Sequence, residues 1–511
     1  MEKKILFLKA RTGQDDPSPP MAFSFLGGIA KKKGWKVLVE NLNAQYNNKT
    51  NQDIANLIKK EKPAIVGVHI FTNCARDSYN LIKEIMSFCK IIVAGGPHPT
   101  ACPGEVIEKG ADIVVIGEAE ISFPELLDAI SSGRNLKEVR GIAYKENGKV
   151  KKTEPAEIIM DLNNISMLDR SVHRLSDYVR TKDEINNLGQ ILSTRGCPGR
   201  CAYCYSVFGK CYRFMSAEKV FEEISYLNKK YGITVINFID DAFTINKARL
   251  NELCDLIIKS KLQIEWTCST RIDFLDENMI NKMKKANCTM ITLGVESCLP
   301  QTLLKMKKTG NPEWYVSHTD DVLKWCKKAG IRVGVNMLAG FPWESAEDMR
   351  ITQKYIGRIK KYVTNGFYGG ILQPQPGTEM YEKYAKEYGF EQWWIKKKPL
   401  FKDNYRPFFM TYYHQYWDHL NNNFFKFSEE YFREIDKLYR MMGVWYIYVI
   451  SRRRFKNELA VYSVYLGVLA LSIISYGLFK ISRKLERSIM ERVKKFSYRF
   501  KFRKGAENYD L

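Results

Sequence analysis

Histidine is scarce in this chain, six residues in 511, and none stands near its one tight cysteine cluster to close a zinc site. Zinc sites are usually completed by a fourth Cys or His at recognisable spacing. Here Cys211 is the only nearby candidate and no second C-x2-C follows, which disfavours a zinc knuckle. A secretory leader is also missing: the apolar run in Met1–Leu8 is short and passes straight into a domain. The expected compartment is therefore a reducing cytoplasm, with the twelve cysteines present as thiols. Acidic residues are in deficit, 57 Asp and Glu against 80 Lys and Arg, and the net charge of +23 calls for a nucleic acid, an anionic lipid surface or no specific partner. What is plentiful is apolar side chain, 45% of the sequence, and the length predicts about three domains.

The cluster itself is Cys197, Cys201 and Cys204 at C-x3-C-x2-C, in a Gly/Pro-rich loop directly after the β-like run Gln190–Ser193. Three thiolates from one loop can hold three irons of a four-iron cluster and leave the fourth open to a ligand. The remaining cysteines, Cys74, Cys89, Cys102, Cys254, Cys268, Cys288, Cys298 and Cys326, are scattered and read as buried small hydrophobes.

The C-x3-C-x-Tyr-C spacing after a strand resembles the signature of the radical S-adenosylmethionine (SAM) enzymes. The resemblance implies a [4Fe–4S] cluster on Cys197, Cys201 and Cys204, which would serve as both metal ligands and catalytic residues. It also implies SAM chelated at the open iron and cleaved to a 5′-deoxyadenosyl radical. Tyr203 maps onto the aromatic position whose backbone contacts adenine.

Residues 1–135 alternate strands (Lys4–Lys9, Lys36–Glu40, Ile65–Ile70, Ile91–Ala94, Ile113–Ile116) with helical patterns such as Asn51–Lys60 and Ala75–Phe88. Such alternation predicts a flavodoxin-like (Rossmann-like) α/β domain with a parallel sheet that binds ligand at the strand carboxyl ends. Small residues fall in those loops, among them Gly95-Gly96-Pro97-His98 and Gly117-Glu118-Ala119-Glu120. These two motifs resemble the cobalamin-binding branch of the radical SAM enzymes, similar to the anaerobic magnesium-protoporphyrin cyclase and to radical SAM methyltransferases. The positions implied for cobalamin are Gly95, Gly96, His98, Gly117 and Glu118. Two departures matter. The D-x-H-x-x-G motif is absent, implying base-off cobalamin with no histidine below the cobalt, and Ala119 replaces the usual glycine. A domain that keeps the fold and binds nothing is the alternative, and a lone histidine such as His98 is more often structural.

Residues 136–189 read as a linker with a hairpin turning at Asn147-Gly148. Residues 190–385 again alternate, with strands at Gln190–Ser193, Val235–Ile239, Glu265–Ser269, Met290–Leu293, Arg332–Met337 and Gly370–Gln373, as in the partial (β/α)6 barrel of the radical SAM enzymes. Polar residues at strand carboxyl ends mark the chemistry. By the resemblance, Glu296 and Arg271 would hold the ribose and aminoacyl ends of SAM; the alternative for each is an ordinary loop ion pair. Asp240 and Asp241 are further pocket-facing candidates.

Residues 386–511 form a basic, apolar, helical region. Residues 400–511 hold 21 Lys/Arg against 11 Asp/Glu, so ten of the 23 surplus charges lie there. Leu459 to Phe479 is uncharged for 21 residues, long enough to span a bilayer. The 11 Lys/Arg of the tail 480–511 resist export, so the expectation is a re-entrant hairpin or interfacial helix on the inner face of the cell membrane. The function expected is methylation of an unactivated carbon of a hydrophobic, lipid-like substrate, with flavodoxin or ferredoxin as electron donor. The alternatives are an oxidative cyclase without methyl transfer, a tRNA-modifying methylthiotransferase, and a non-catalytic cobalamin module. Nucleic acid is disfavoured because the tail is apolar and the extra cysteines are not at methylthiotransferase positions.

Overall fold

The structure is a computed structural model that describes residues 2–12, 15–396, 423–454 and 466–467. Its contacts divide the chain into two compact units. One comprises Met1–Thr234 and Pro374–Lys398; the other comprises Val235–Gln373 and the described residues beyond 398.

The first unit is built on β1 (Lys4–Lys9), β2 (Lys36–Asn41), β3 (Ile65–His69), β4 (Ile92–Gly95) and β5 (Ile113–Val115), parallel in the order β2-β1-β3-β4-β5. That is the flavodoxin-like order expected. The strands read as continuous apolar runs because helices cover both faces. Phe7 stacks on Phe23 of the helix Met21–Lys32 at 5.3 Å and leans on Phe123 of the helix Ala119–Ser132. The hairpin expected between the domains is present, but it extends this same sheet. β6 (Ile142–Glu146) pairs antiparallel with β5 and with β7 (Lys149–Lys152). Asn147 and Gly148 both take positive φ, 49° and 78°, as a two-residue turn of matching twist demands. Gln190–Ile191 (β8), Thr194–Arg195 (β9) and Arg213–Phe214 (β10) complete the strands of this unit.

The second unit carries five parallel strands, β11 (Val235–Phe238), β12 (Glu265–Arg271), β13 (Cys288–Glu296), β14 (Arg332–Ala339) and β15 (Gly366–Ile371), in sequential order. Helices between them start on side-chain caps from Asn246, Asp276, Asn311 and Ser345, each worth about 1 kcal/mol. β15 begins four residues before the expected Gly370. Its sequence Gly-Phe-Tyr-Gly-Gly-Ile lacks an apolar alternation, yet Gly369, at φ 109°, lets the strand approach the Met337 backbone too closely for any Cβ.

A helix over Glu429–Arg454 packs in the second unit through an apolar stripe, Tyr431, Phe432, Ile435, Leu438, Tyr439 and Met442, all buried. Trp445 Nε1 donates to the Val363 carbonyl at 2.8 Å and Gln353 Nε2 to Glu434 at 2.9 Å. Met442 is thus buried on protein and Trp445 is tied to Val363, and the described part of the C-terminal region gives no support to the expected membrane association. Among the described residues no helix is long and apolar enough to cross a membrane. The segment 459–479 lies outside the described residues except for Leu466 and Gly467, both exposed.

Candidate functional site

The three cysteines sit on a loop whose two feet are a ribbon. β9 and β10 pair antiparallel, Arg213 opposite Arg195 and Phe214 opposite Thr194. The loop closes tightly above that ribbon. Gly196 has φ 78°, and a Cβ there would press into the Cys211 carbonyl, 2.9 Å from its carbon. The Cys197 N–H donates to the Gly209 carbonyl at 3.2 Å, and the Cys204 N–H to that of Cys201 at 3.1 Å. Cys197, Cys201 and Tyr203 are half-buried, Cys204 and Cys211 exposed, and no cysteine is in a disulfide. The loop is roofed by residues far along the chain. The Met380 N–H donates to the Ala202 carbonyl at 3.0 Å, and Gly377 rests on the Tyr205 ring so closely that a Cβ would meet Cε2 at 2.7 Å.

The other cysteines differ in kind. Burial pushes the thiols of Cys254 and Cys326 up to about 12 and those of Cys74 and Cys298 up to about 11. They are poor sources of thiolate. Among the described residues no three His, Cys, Asp or Glu side chains converge on one point that a single ion could occupy. Thiolates that each bind a different iron of a cluster need no such point.

At the carboxyl ends of β4 and β5 the first unit has a floor without side chains. A Cβ on Gly95 or Gly117 would meet nothing within 4 Å. Gly96 lies at φ 110° against the His69 ring, where a Cβ would come within 2.5 Å of Cδ2. His69 ends β3 and was not singled out in the sequence, where nothing separates it from any other strand-end residue. Burial lowers its pKa to about 3, so it is neutral, and its Nδ1 meets no hydrogen-bond partner among the described residues. His98 faces inward. Its Nε2–H reaches the Tyr79 oxygen at 2.7 Å, and the Tyr79 hydroxyl donates to Glu105 at 2.7 Å. Thr72 meets its Nδ1 at 3.2 Å. Burial works against the Glu105 charge, yet hydrogen bonds from His98, Tyr79 and Trp394 hold its carboxyl below the ordinary glutamate value. Glu118 also faces protein. Its carboxylate pairs with Arg195 at 2.6 Å and with Arg213, while Glu120 pairs with the other arm of Arg195.

In the second unit Arg271 ends β12 and forks onto Asp273 at 2.9 and 2.7 Å, then onto the Lys308 carbonyl at 2.6 Å. Glu296 ends β13 in the left-handed region, φ 67°, where the pairing with β14 slips. Its Oε1 lies 3.4 Å from Lys308 Nζ, and both groups are buried. A non-glycine residue held there costs of order 1–3 kcal/mol, the kind of strain that collects at functional sites. The structure thus brings Arg271 and Glu296 to one end of the sheet with Lys308 between them. Lys308 was not legible in advance because Lys305 and Lys307 beside it look the same in sequence. Asp240 is buried and Asp241 exposed.

Residues 191–356 match the model of the radical SAM superfamily, and residues 15–127 match the B12 binding domain. An uncharacterized methyltransferase of Pyrococcus horikoshii is 34% identical over 370 residues, 71% of this chain and 78% of the relative. The chain belongs to the cobalamin-binding radical SAM enzymes. The anaerobic magnesium-protoporphyrin IX monomethyl ester cyclase of Rubrivivax gelatinosus is 26% identical, covering 77% and 74%. The radical SAM methyltransferase TsrM of Kitasatospora setae, solved with cobalamin and a [4Fe–4S] cluster, shares the fold with TM-score 0.63 at 20% identity over 76% of each chain. The enzyme's cofactors are accordingly a [4Fe–4S] cluster, SAM and cobalamin. The residues present fit them: three cysteines outside any disulfide on one closed loop for the cluster, and a side-chain-free floor at the strand ends for a broad, flat ring.

Proposed function

We propose that this enzyme methylates an unactivated carbon of an apolar substrate. The observation that carries the reading is the placement of the three-thiol loop and the glycine floor in one compact unit, joined by Glu118 and Glu120 to Arg195 and Arg213. A radical source and a methyl source held in one compact unit can act on one carbon in turn. When bound, the cluster supplies the electron that cleaves SAM, and cobalamin supplies the methyl group. On this reading residues 1–135 carry cobalamin and residues 190–385 carry the radical chemistry, with 136–189 between them and 386–511 beyond. Cys197, Cys201 and Cys204 hold the cluster as thiolates, and Tyr203 offers its backbone to adenine. Gly95, Gly96 and Gly117 admit cobalamin by having no side chain to clash. Glu296, its charge balanced by Lys308, orients the ribose of SAM, and Arg271 stands at its aminoacyl end. His98 and Glu118 act through the protein partners they already have, by fixing the walls. An external flavodoxin or ferredoxin supplies electrons.

The family relatives that act on bacteriochlorophyllide rings and on magnesium-protoporphyrin ester support an apolar substrate. The cyclase relatives favour a second reading, oxidation without methyl transfer. Anaerobic turnover with SAM carrying a deuterated methyl group separates the two. A product bearing the label supports methylation; an unlabelled, oxidised product replaces it with the cyclase reading. Alanine at any one of Cys197, Cys201 or Cys204 is expected to reduce 5′-deoxyadenosine formation to background. Retained formation in any of the three variants would remove that residue from the cluster.

A further inference from the structure

Four charges withdrawn from water connect the glycine floor to the cysteine loop. Glu118 and Glu120 follow Gly117 directly at the end of β5. Arg195 immediately precedes Gly196-Cys197, and Arg213 stands two residues after Cys211, so the two arginines are the two feet of the loop. All four side chains are largely withdrawn from water, Arg195 and Arg213 being 2% and 3% exposed. Glu118 bridges both feet, reaching Arg195 at 2.6 Å and Arg213 through two nitrogens. Glu120 takes the second arm of Arg195. Each arginine also grips the loop. Arg213 donates to the Phe208 carbonyl at 3.4 Å and, from its other arm, to that of Ile159 at 2.7 Å. The Arg195 guanidinium lies 5.0 Å from the centre of the Phe208 ring.

We propose that the Glu118–Glu120 carboxylates and the Arg195–Arg213 guanidiniums form a positioning clamp through which occupancy of the cobalamin floor is felt at the cluster loop. The inference rests on the cofactor assignment above. Its physical basis is economy of charge. Two positive and two negative groups are neutral together, and a buried pair with one partner moved away is strongly disfavoured. Gly117 at φ 74° has no side chain between the floor and Glu118, so a ligand resting there meets the backbone that carries the clamp. A displacement of Glu118 cannot be absorbed by one arginine alone, because the same carboxylate holds both. Coupling of this kind acts in both directions.

The test uses the full chain with both cofactors loaded anaerobically. The readout is the rate at which iron passes from the cluster to an exogenous chelator, with and without hydroxocobalamin. In the wild type, cobalamin is expected to slow iron release about tenfold, a typical coupling between sites. In E118D all four charges remain, so the buried cluster stays neutral, but the shortened carboxylate cannot bridge both feet. In E120Q one arm of Arg195 loses its anion. For both variants the rates are normalised to the cobalamin and iron measured in each sample. The expected result is that protection falls to within about twofold of no effect. Wild-type protection retained in E118D and E120Q would overturn the clamp, as would a wild type whose iron release ignores bound cobalamin. A wild type that takes up no cobalamin or no iron at all overturns the cofactor assignment, and the clamp with it; that failure is visible before any variant is made.

Discussion

Replacing Gly196 by alanine is expected to cost the protein its iron. The residue sits at φ 78°, where an L side chain is strained by about 1 kcal/mol. Its Cβ would also overlap the Cys211 carbonyl and approach the Gly209 carbonyl oxygen at 3.2 Å. Neither obstacle is a flexible side-chain tip; both are backbone, in the strand-to-loop turn that brings Cys197 onto Gly209. Overpacking of this kind costs roughly 1–3 kcal/mol. Together they oppose the closed loop by roughly 3 kcal/mol, about a hundredfold in the population of loops that can hold a cluster. Iron and sulfide per chain after anaerobic reconstitution measure this directly, with circular dichroism as the check that both units still fold. Full iron loading in the variant would show that closure against Cys211 is dispensable.

The second large effect belongs to Glu344. This carboxyl follows β14 and is buried, accepting from the Gly340 and Phe341 N–H groups at 2.9 and 3.1 Å and from the Tyr431 hydroxyl at 2.9 Å. Burial outweighs those donors and pushes its pKa up to about 7, from an ordinary 4.5. Between those two values the folded protein holds a proton that the unfolded chain has released. Stability therefore falls as pH rises through that window, and above pH 7 the loss is complete. The size is about 3 kcal/mol. Glu344→Gln has no proton to release, and its amide oxygen can accept from the same donors. The stability difference between Glu344→Gln and wild type should grow by about 3 kcal/mol in favour of the glutamine between pH 4.5 and 7, measured by denaturant unfolding. Parallel curves would place the proton elsewhere. Glu344→Ala strands the Phe341 N–H and the proton of a buried phenol at every pH, while the Gly340 N–H keeps the Tyr431 oxygen as an acceptor at 2.9 Å, and it is expected to lose at least ~2 kcal/mol.

The order of the α/β domain was legible because parallel strands covered on both faces are written as short apolar runs, and Lys4–Lys9 and Ile65–His69 are such runs. The cysteine spacing was legible because one loop needs three thiols close in sequence. The register of β15 was not, since a strand chosen for close backbone approach at Gly369 lacks the side chains that announce a strand. Nor was the packing of the helix Glu429–Arg454, whose buried stripe is built from aromatics that read equally well as a membrane interface. Lys308 and the clamp were hidden for a different reason: a buried ion pair is defined by two partners, and a sequence lists them 12 to 95 residues apart. The Gly-Glu-Ala-Glu motif reads in sequence as a cofactor contact, and nothing local marks it as an anchor for arginines 75 to 95 residues further on.

The roof over the cysteine loop also imposes a timetable. Ala202 is closed by Met380, a partner 178 residues further along the chain. At about 5–20 residues per second of synthesis, roughly 10–35 s pass between the two. A chain stopped at residue 373 is therefore expected to take up iron poorly, which quantitation of iron after reconstitution would check. In the growing protein the three thiols are made early and sheltered late, so delivery of the cluster is expected only after residue 380 has been synthesised.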